Sequence, residues 1–315
     1  MQAIVEVKQA NIVVEQGVNI NALLDKWALY LDATPHTFRA YISNVRLFFQ
    51  WLAIHGITNP TREDVIAYRD ELEAEGKKAN TVNAYRMALK QFFTWTAQEG
   101  LYPNITEGVR RKKVDRNFKK DYLTGRQAGK VLGHINTNTE QGLRDYAICA
   151  LMLTTGLRTV SIVQANIEDI RPLGEQVGLY YQGKGHDEKA KCVKISEQVE
   201  DAIRAYLAAR GKVSSNSPLF ASLDHKNKGG RMTTRSISRI AKLALEGAGY
   251  NSDKLTAHSF RHTAATLALK AGAKTAEVQQ MLDHADISTT MIYNHAIERE
   301  KNNAELLAAG AIFKA

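Results

Sequence analysis

The sequence predicts a mainly α protein of two domains: an N-terminal helical bundle, then a mixed α/β domain with a small β-sheet. Three observations lead there. Apolar residues recur every three or four positions in four successive stretches of the first hundred residues, the period of helices with one buried face. Seven cations against one acid crowd residues 108–120 and part the chain. A strand-like pattern around a glycine-flanked turn lies between Val177 and Ile195, within an otherwise helical second half. The length of 315 residues fits about two domains.

The elements follow in order. Leu23, Leu24, Trp27, Ala28 and Leu31 share one helix face. Phe38, Tyr41, Ile42, Val45, Phe49 and Leu52 form the next stripe, which Gly56 stops. Thr61 is placed to cap a third helix, with Asp64 three residues on as in a capping box. Val82, Tyr85, Leu89, Phe92, Phe93 and Thr96 make a fourth stripe, ended by Gly100. Four helices with short connections form a small bundle. The basic run reads as a solvated linker and, compatibly, as a segment lying along a phosphate backbone through Arg110, Arg111, Lys112 and Lys113. The second domain starts near Leu123, with helices over 144–153, 199–210, 234–248 and from 258 onward. Leu179, Tyr180 and Tyr181 before Gly183-Lys184-Gly185, and Cys192, Val193 and Ile195 after it, read as a β-hairpin with a lysine on its turn. The expected division is an extension (1–15), the bundle (16–107), the linker (108–121), the second domain (122–300) and a tail (301–315).

Composition narrows the partners. A net charge of +9 and a pI of about 9.4 favour a polyanion, nucleic acid or an anionic membrane surface. With 44% hydrophobic and 24% charged residues, the chain is too apolar to be disordered. Its longest apolar run, residues 147–153, is far short of a membrane span, and residues 1–10 lack the apolar core of a secretory signal. Cys149 and Cys192 form neither a CxxC pair nor a disulfide framework, so a reducing cytoplasm is the default location. No GxxxxGK[ST] loop points to a nucleotide.

The C-terminal third concentrates groups that can hold a phosphate. His258 and Arg261 stand at i and i+3 of one helix, while Phe260, Ala264 and Leu267 form an inward stripe. Gly272 ends that helix and Thr275 can cap the next, whose Val278, Met281 and Leu282 are expected to be buried and whose end presents His284. Nine residues later comes Tyr293, in a segment expected to be anchored by Met291 and Ile292. Upstream, Thr154-Thr155-Gly156-Leu157-Arg158 sets another arginine just past a buried helix. Singly, each has an ordinary structural explanation: a surface ion pair, a packing tyrosine, a hydrogen-bonded histidine. Their order and spacing together do not.

In that order the chain resembles the tyrosine recombinase, or phage integrase, family. The family pattern is an Arg after Thr-Gly-Leu, a Lys on a hairpin turn, His-x-x-Arg, Leu-Gly-His, and a Tyr nine residues after that His. Arg158, Lys184, His258, Arg261, His284 and Tyr293 match it over a resemblance running from about residue 16 to 300. The resemblance implies a SAM-like core-binding bundle, a recombinase catalytic domain, and an Xer-like site-specific recombinase or integrase that cuts and rejoins DNA. Tyr293 would attack phosphorus to give a 3′-phosphotyrosine, conserving bond energy without ATP. Arg158 and Arg261 would clamp the phosphate oxygens in place of a metal. Lys184 would protonate the leaving 5′-hydroxyl, and His258 and His284 would take the tyrosine proton or hydrogen-bond the phosphate. Double-stranded DNA is the implied partner and four protomers on two sites the working form, with no cofactor, nucleotide, metal or membrane. Roles in phage integration, transposon movement, dimer resolution and inversion are all compatible. The lack of an arm-binding domain before residue 16 points to the simpler members.

Two departures stand out. Ser161 replaces the Glu usual three residues after the first Arg, which removes an acid that helps orient the site. Asp283 replaces the Gly before His284, where an acid can raise that histidine's pKa or face solvent. His262 and His295 match no family role and read as structural. Three rivals compete. A zinc helix through His258 and His262 would need Glu where Ser259 stands. A type IB topoisomerase uses a similar residue set, but the short chain and motif order favour a recombinase. A catalytically dead architectural protein is opposed by the full set of six residues. Finally, Leu306, Leu307, Ile312 and Phe313 form an apolar tail after a polar spacer, which can pack on its own domain or dock on a neighbouring protomer.

Overall fold

The computed structural model describes residues 4–6, 11–14, 18–114, 121–183 and 188–313 of the chain. It divides into two compact units, residues 1–115 and 116–315. Among the described residues no helix is long and apolar enough to cross a membrane.

The first unit holds α1 (Ile20–Tyr30), α2 (Pro35–Ile54), α3 (Arg62–Ala74) and α4 (Ala79–Gln98). The predicted stripes close on one another: Trp27, Phe48, Phe92 and Trp95 are fully buried, and Trp27 meets Phe92 edge-on at 5.2 Å. Thr61 starts α3 as expected, its backbone N–H donating to the Asp64 carboxylate at 2.7 Å. Within the segment read as an extension (1–15) lie β1 (Ile4–Glu6) and β2 (Asn11–Val14), and β3 (Val18–Asn19) follows; the three pair antiparallel in that order.

The start of the basic run is fastened to this unit. Arg62 donates to the Glu107 carbonyl at 3.1 Å and Arg86 to that of Val109 at 3.0 Å. Asn83 and Lys112 exchange two hydrogen bonds, of 3.0 and 2.8 Å. The ammonium of Lys112 pairs with Glu73 and, at 3.3 Å, with Asp70. Arg110, Arg111 and Lys113 are exposed, whereas the Lys112 charge is taken up by two acids. Within 108–113 the Lys112 charge is therefore paired, while those of Arg110, Arg111 and Lys113 stay solvated. Residues 115–120 lie outside the described residues.

The second unit is built around α6 (Glu140–Thr155), whose apolar run is buried on all sides. Around it stand α5 (Gly125–Gly133), α7 (Thr159–Gln164), α8 (Glu197–Arg210), α9 (Thr234–Gly247) and α10 (Ala257–Lys270). Then come α11 (Thr275–Leu282), α12 (Ser288–Lys301) and α13 (Ala304–Phe313). The predicted hairpin is β5 (Gln176–Tyr181) with β6 (Lys191–Ile195), Tyr181 opposite Lys191. A third strand, β4 (Ile170–Leu173), pairs with β5 and forms the sheet edge. Lys184, on the predicted turn, lies outside the described residues. The tail's apolar side chains are not buried on its own unit: α13 buries no residue, leaves Leu307 75% and Phe313 84% exposed, and is held by the ion pair of Glu305 with Arg299.

Candidate active site

Five helix ends and faces of the second unit deliver the candidate residues. Helix α6 ends at Gly156, which adopts a left-handed conformation (φ 64°) and turns the chain toward Arg158. A Cβ there would lie 2.6 Å from Cδ2 of Leu282, a side chain itself fully buried, so the sequence needs glycine at this crossing.

That approach lets Arg261, on α10, do two things at once. It donates through Nη1 to the Gly156 carbonyl at 2.6 Å and through Nη2 to the carbonyl of Leu282, the last residue of α11. Two helix C-termini, each carrying partial negative charge, thus converge on one guanidinium. Only 4% of Arg261 is exposed, and burial, then the neighbouring Arg158 charge, push its pKa down to about 10. At neutral pH it stays cationic. Arg158 is held more loosely, its side chain 35% exposed and Nη2 donating to the Asp283 carbonyl at 3.3 Å. Arg158, Arg261 and the exposed His258 border one cleft of about 320 Å³, with Ser238 and Val160.

Tyr293, on α12, is 4% exposed and packs with Ala265, Val278 and Leu282. Burial raises its phenol pKa, and Arg261 partly offsets this. Its segment is anchored by Thr290 and Ile297, whereas Ile292, expected to do this, faces solvent. The His284 ring places Nδ1 2.8 Å from Oγ1 of Thr290. Burial, then Arg261 and Arg158, push its pKa down to about 4, so it is neutral at pH 7. The carboxylate of Asp283 acts the other way but is outweighed.

Asp283 does not simply face solvent. Its Oδ1 lies 3.2 Å from Lys191 and its Oδ2 3.8 Å from Arg158. It is also the single non-glycine residue at positive φ (51°) among the described residues, which is the backbone need that glycine meets in the family pattern. Ser161 is buried in the first turn of α7. The acid that the structure sets near Arg158 is Asp283, at 3.8 Å.

His262, read from the sequence as structural, touches the tyrosine. Its Nδ1 lies 2.8 Å from the Tyr293 hydroxyl oxygen, and its ring meets His258 edge-on at 4.6 Å. The available signal was position i+4 from His258, which shares a helix face with it. His295 is exposed near Glu298, at 3.5 Å. Among the described residues no three His, Cys, Asp or Glu side chains gather as a metal site would require.

Two guanidiniums that can grip one phosphodiester, beside a tyrosine oxygen in contact with an imidazole, suit phosphoryl transfer through a tyrosine. Comparison with known proteins agrees. Residues 121–300 match the phage integrase family and residues 24–100 its N-terminal SAM-like domain. The tyrosine recombinase XerC of Corynebacterium efficiens is 31% identical over 88% of this chain and 86% of its own length. XerD of Listeria monocytogenes is 29% identical over 83% and 88%. The XerH recombinase in a post-cleavage complex with difH DNA shares the fold, with a TM-score of 0.70 at 20% identity over 93% of this chain and 84% of that one. A lambda integrase (75–356) dimer on a COC′ core site does so at 0.67 and 16%, over 86% and 96%. The chain belongs to the phage integrase family, the tyrosine recombinases.

Proposed function

We propose that this site-specific recombinase cleaves and rejoins double-stranded DNA through a 3′-phosphotyrosine at Tyr293, without metal or ATP. What supports this is that Arg158, His258 and Arg261 line one cleft, while His284 and Tyr293, from two other elements, lie within electrostatic reach of Arg261. Arg158 and Arg261 stabilise the charge that builds on the non-bridging oxygens. The neutral His284 hydrogen-bonds the phosphate, with His258 at the mouth of the cleft. Lys184 protonates the departing 5′ oxygen. The SAM-like unit and the exposed Arg110, Arg111 and Lys113 add phosphate contacts, and residues 108–121 link the two domains. With suicide substrates carrying candidate recombination sites, a denaturant-resistant adduct is expected to form in EDTA and to map to Tyr293 by mass spectrometry. An adduct that needs a divalent ion would overturn this reading.

The working form we infer is a tetramer on two sites, in the cytoplasm. Its support is α13, an apolar helix that buries no residue on its own unit and is tied to it by the Arg299–Glu305 ion pair. Head-to-tail donation of such a helix closes a ring. Deleting 304–315 is expected to leave single-site binding within about twofold of the full chain, while weakening paired-site assembly about tenfold or more. Gel-shift titrations on one site and on paired sites check this; equal assembly by the truncated chain would mean that α13 does not dock in trans.

A further inference from the structure

The family pattern offers His258 and His284 as acceptors of the tyrosine proton, yet the structure sets a third imidazole on the tyrosine oxygen. His262 Nδ1 stands 2.8 Å from Tyr293 Oη, with the two rings 5.4 Å apart and inclined at 54°. Nδ1 of His284 is meanwhile directed to Thr290. The contact is fixed by the fold. His262 follows Arg261 on α10, so the helix that brings a phosphate ligand also brings this ring. Tyr293 comes from α12, held against α10 and α11 through Ala265, Val278 and Leu282. A buried phenol does not ionise unaided at neutral pH, and it needs an acceptor within hydrogen-bond reach.

We propose that His262 is a catalytic residue that orients the Tyr293 hydroxyl and takes its proton as the phosphotyrosine forms. This rests on Tyr293 being the nucleophile. In cleavage the Tyr293 Oη–phosphorus bond forms and the bond from phosphorus to the 5′ oxygen breaks. The phenolic proton passes to Nδ1 of His262, which must be in the tautomer with that nitrogen unprotonated. The 5′ oxygen takes its proton from the general acid. Rejoining reverses each step, and His262 returns the proton to the tyrosine.

The test is single-turnover adduct formation on suicide substrates, with DNA affinity and thermal unfolding measured alongside. His262→Ala is expected to slow the reaction by about 10²–10³-fold, with affinity and unfolding temperature near those of the parent. His262 is only half-buried, so free imidazole can enter the space and should restore the rate in proportion to its concentration. His262→Phe fills that space and should be equally slow without rescue. His262→Asn keeps an acceptor where Nδ1 stood but cannot carry the proton, so it should remain at least about tenfold slow. A rate within threefold of the parent for the Ala or Asn variant overturns the proposal, as does a loss that imidazole fails to relieve. An adduct formed by Tyr293→Phe would instead remove the nucleophile assignment beneath it.

Discussion

Tyr293→Phe is expected to bind DNA as the parent does and to form no covalent adduct, a loss on the order of 10⁵-fold in cleavage, the scale seen when an enzyme loses its nucleophile. The phenyl ring can keep its packing against Ala265, Val278 and Leu282, so the fold should survive. What disappears is the oxygen and its contact with His262. The buried hydroxyl's own loss is a small effect, about 1 kcal/mol. Denaturing gels of trapped complexes, beside gel shifts with the same protein, read both halves. A residual adduct would assign the nucleophile elsewhere.

Arg261→Ala is expected to damage both stability and catalysis. Its guanidinium serves the Gly156 and Leu282 carbonyls, and removing it leaves both acceptors without that donor. The cost should be roughly 2–4 kcal/mol of stability. Adduct formation should fall about 10³-fold, because one of the two charges proposed to face the phosphate is gone. Arg261→Lys keeps a positive charge but has no planar fork to join two carbonyls and a phosphate oxygen. It should recover part of the stability and little of the rate. Thermal unfolding and single-turnover cleavage separate the two effects, and parental cleavage by the Lys variant would show that the fork is not needed.

Much of this was legible from sequence because several determinants are local. The helix stripes follow from side-chain period, the hairpin strands from their apolar runs, and the candidate site residues from spacings that one helix or one turn fixes. The missing parts share a different cause. Strands β1 to β3 are two to four residues long, too short for any alternation to register. Strand β4 contains Pro172, which argues against a strand in general and is tolerated here at the sheet edge. The His262–Tyr293 contact joins residues 31 apart, and no local pattern encodes it. The ion pairs of Asp283 likewise depend on β6 and the end of α6 meeting the end of α11. Ile292 failed as an anchor because the helix register put Tyr293 on the buried side in its place.

The unequal burial of the two arginines divides their entropy loss between two events. Arg261 gives up its rotamers when the domain folds, locked between two helix ends. Arg158, a third exposed and loosely held, still has conformations to lose when a phosphate arrives. A long side chain that becomes fixed costs up to about 2 kcal/mol of rotamer freedom. On the proposed role, docking a phosphate immobilises one arginine, where a site with two mobile arginines would have to order both. Half of the clamp is prepaid at folding, and the other half keeps enough freedom to adjust to the exact position of the DNA backbone.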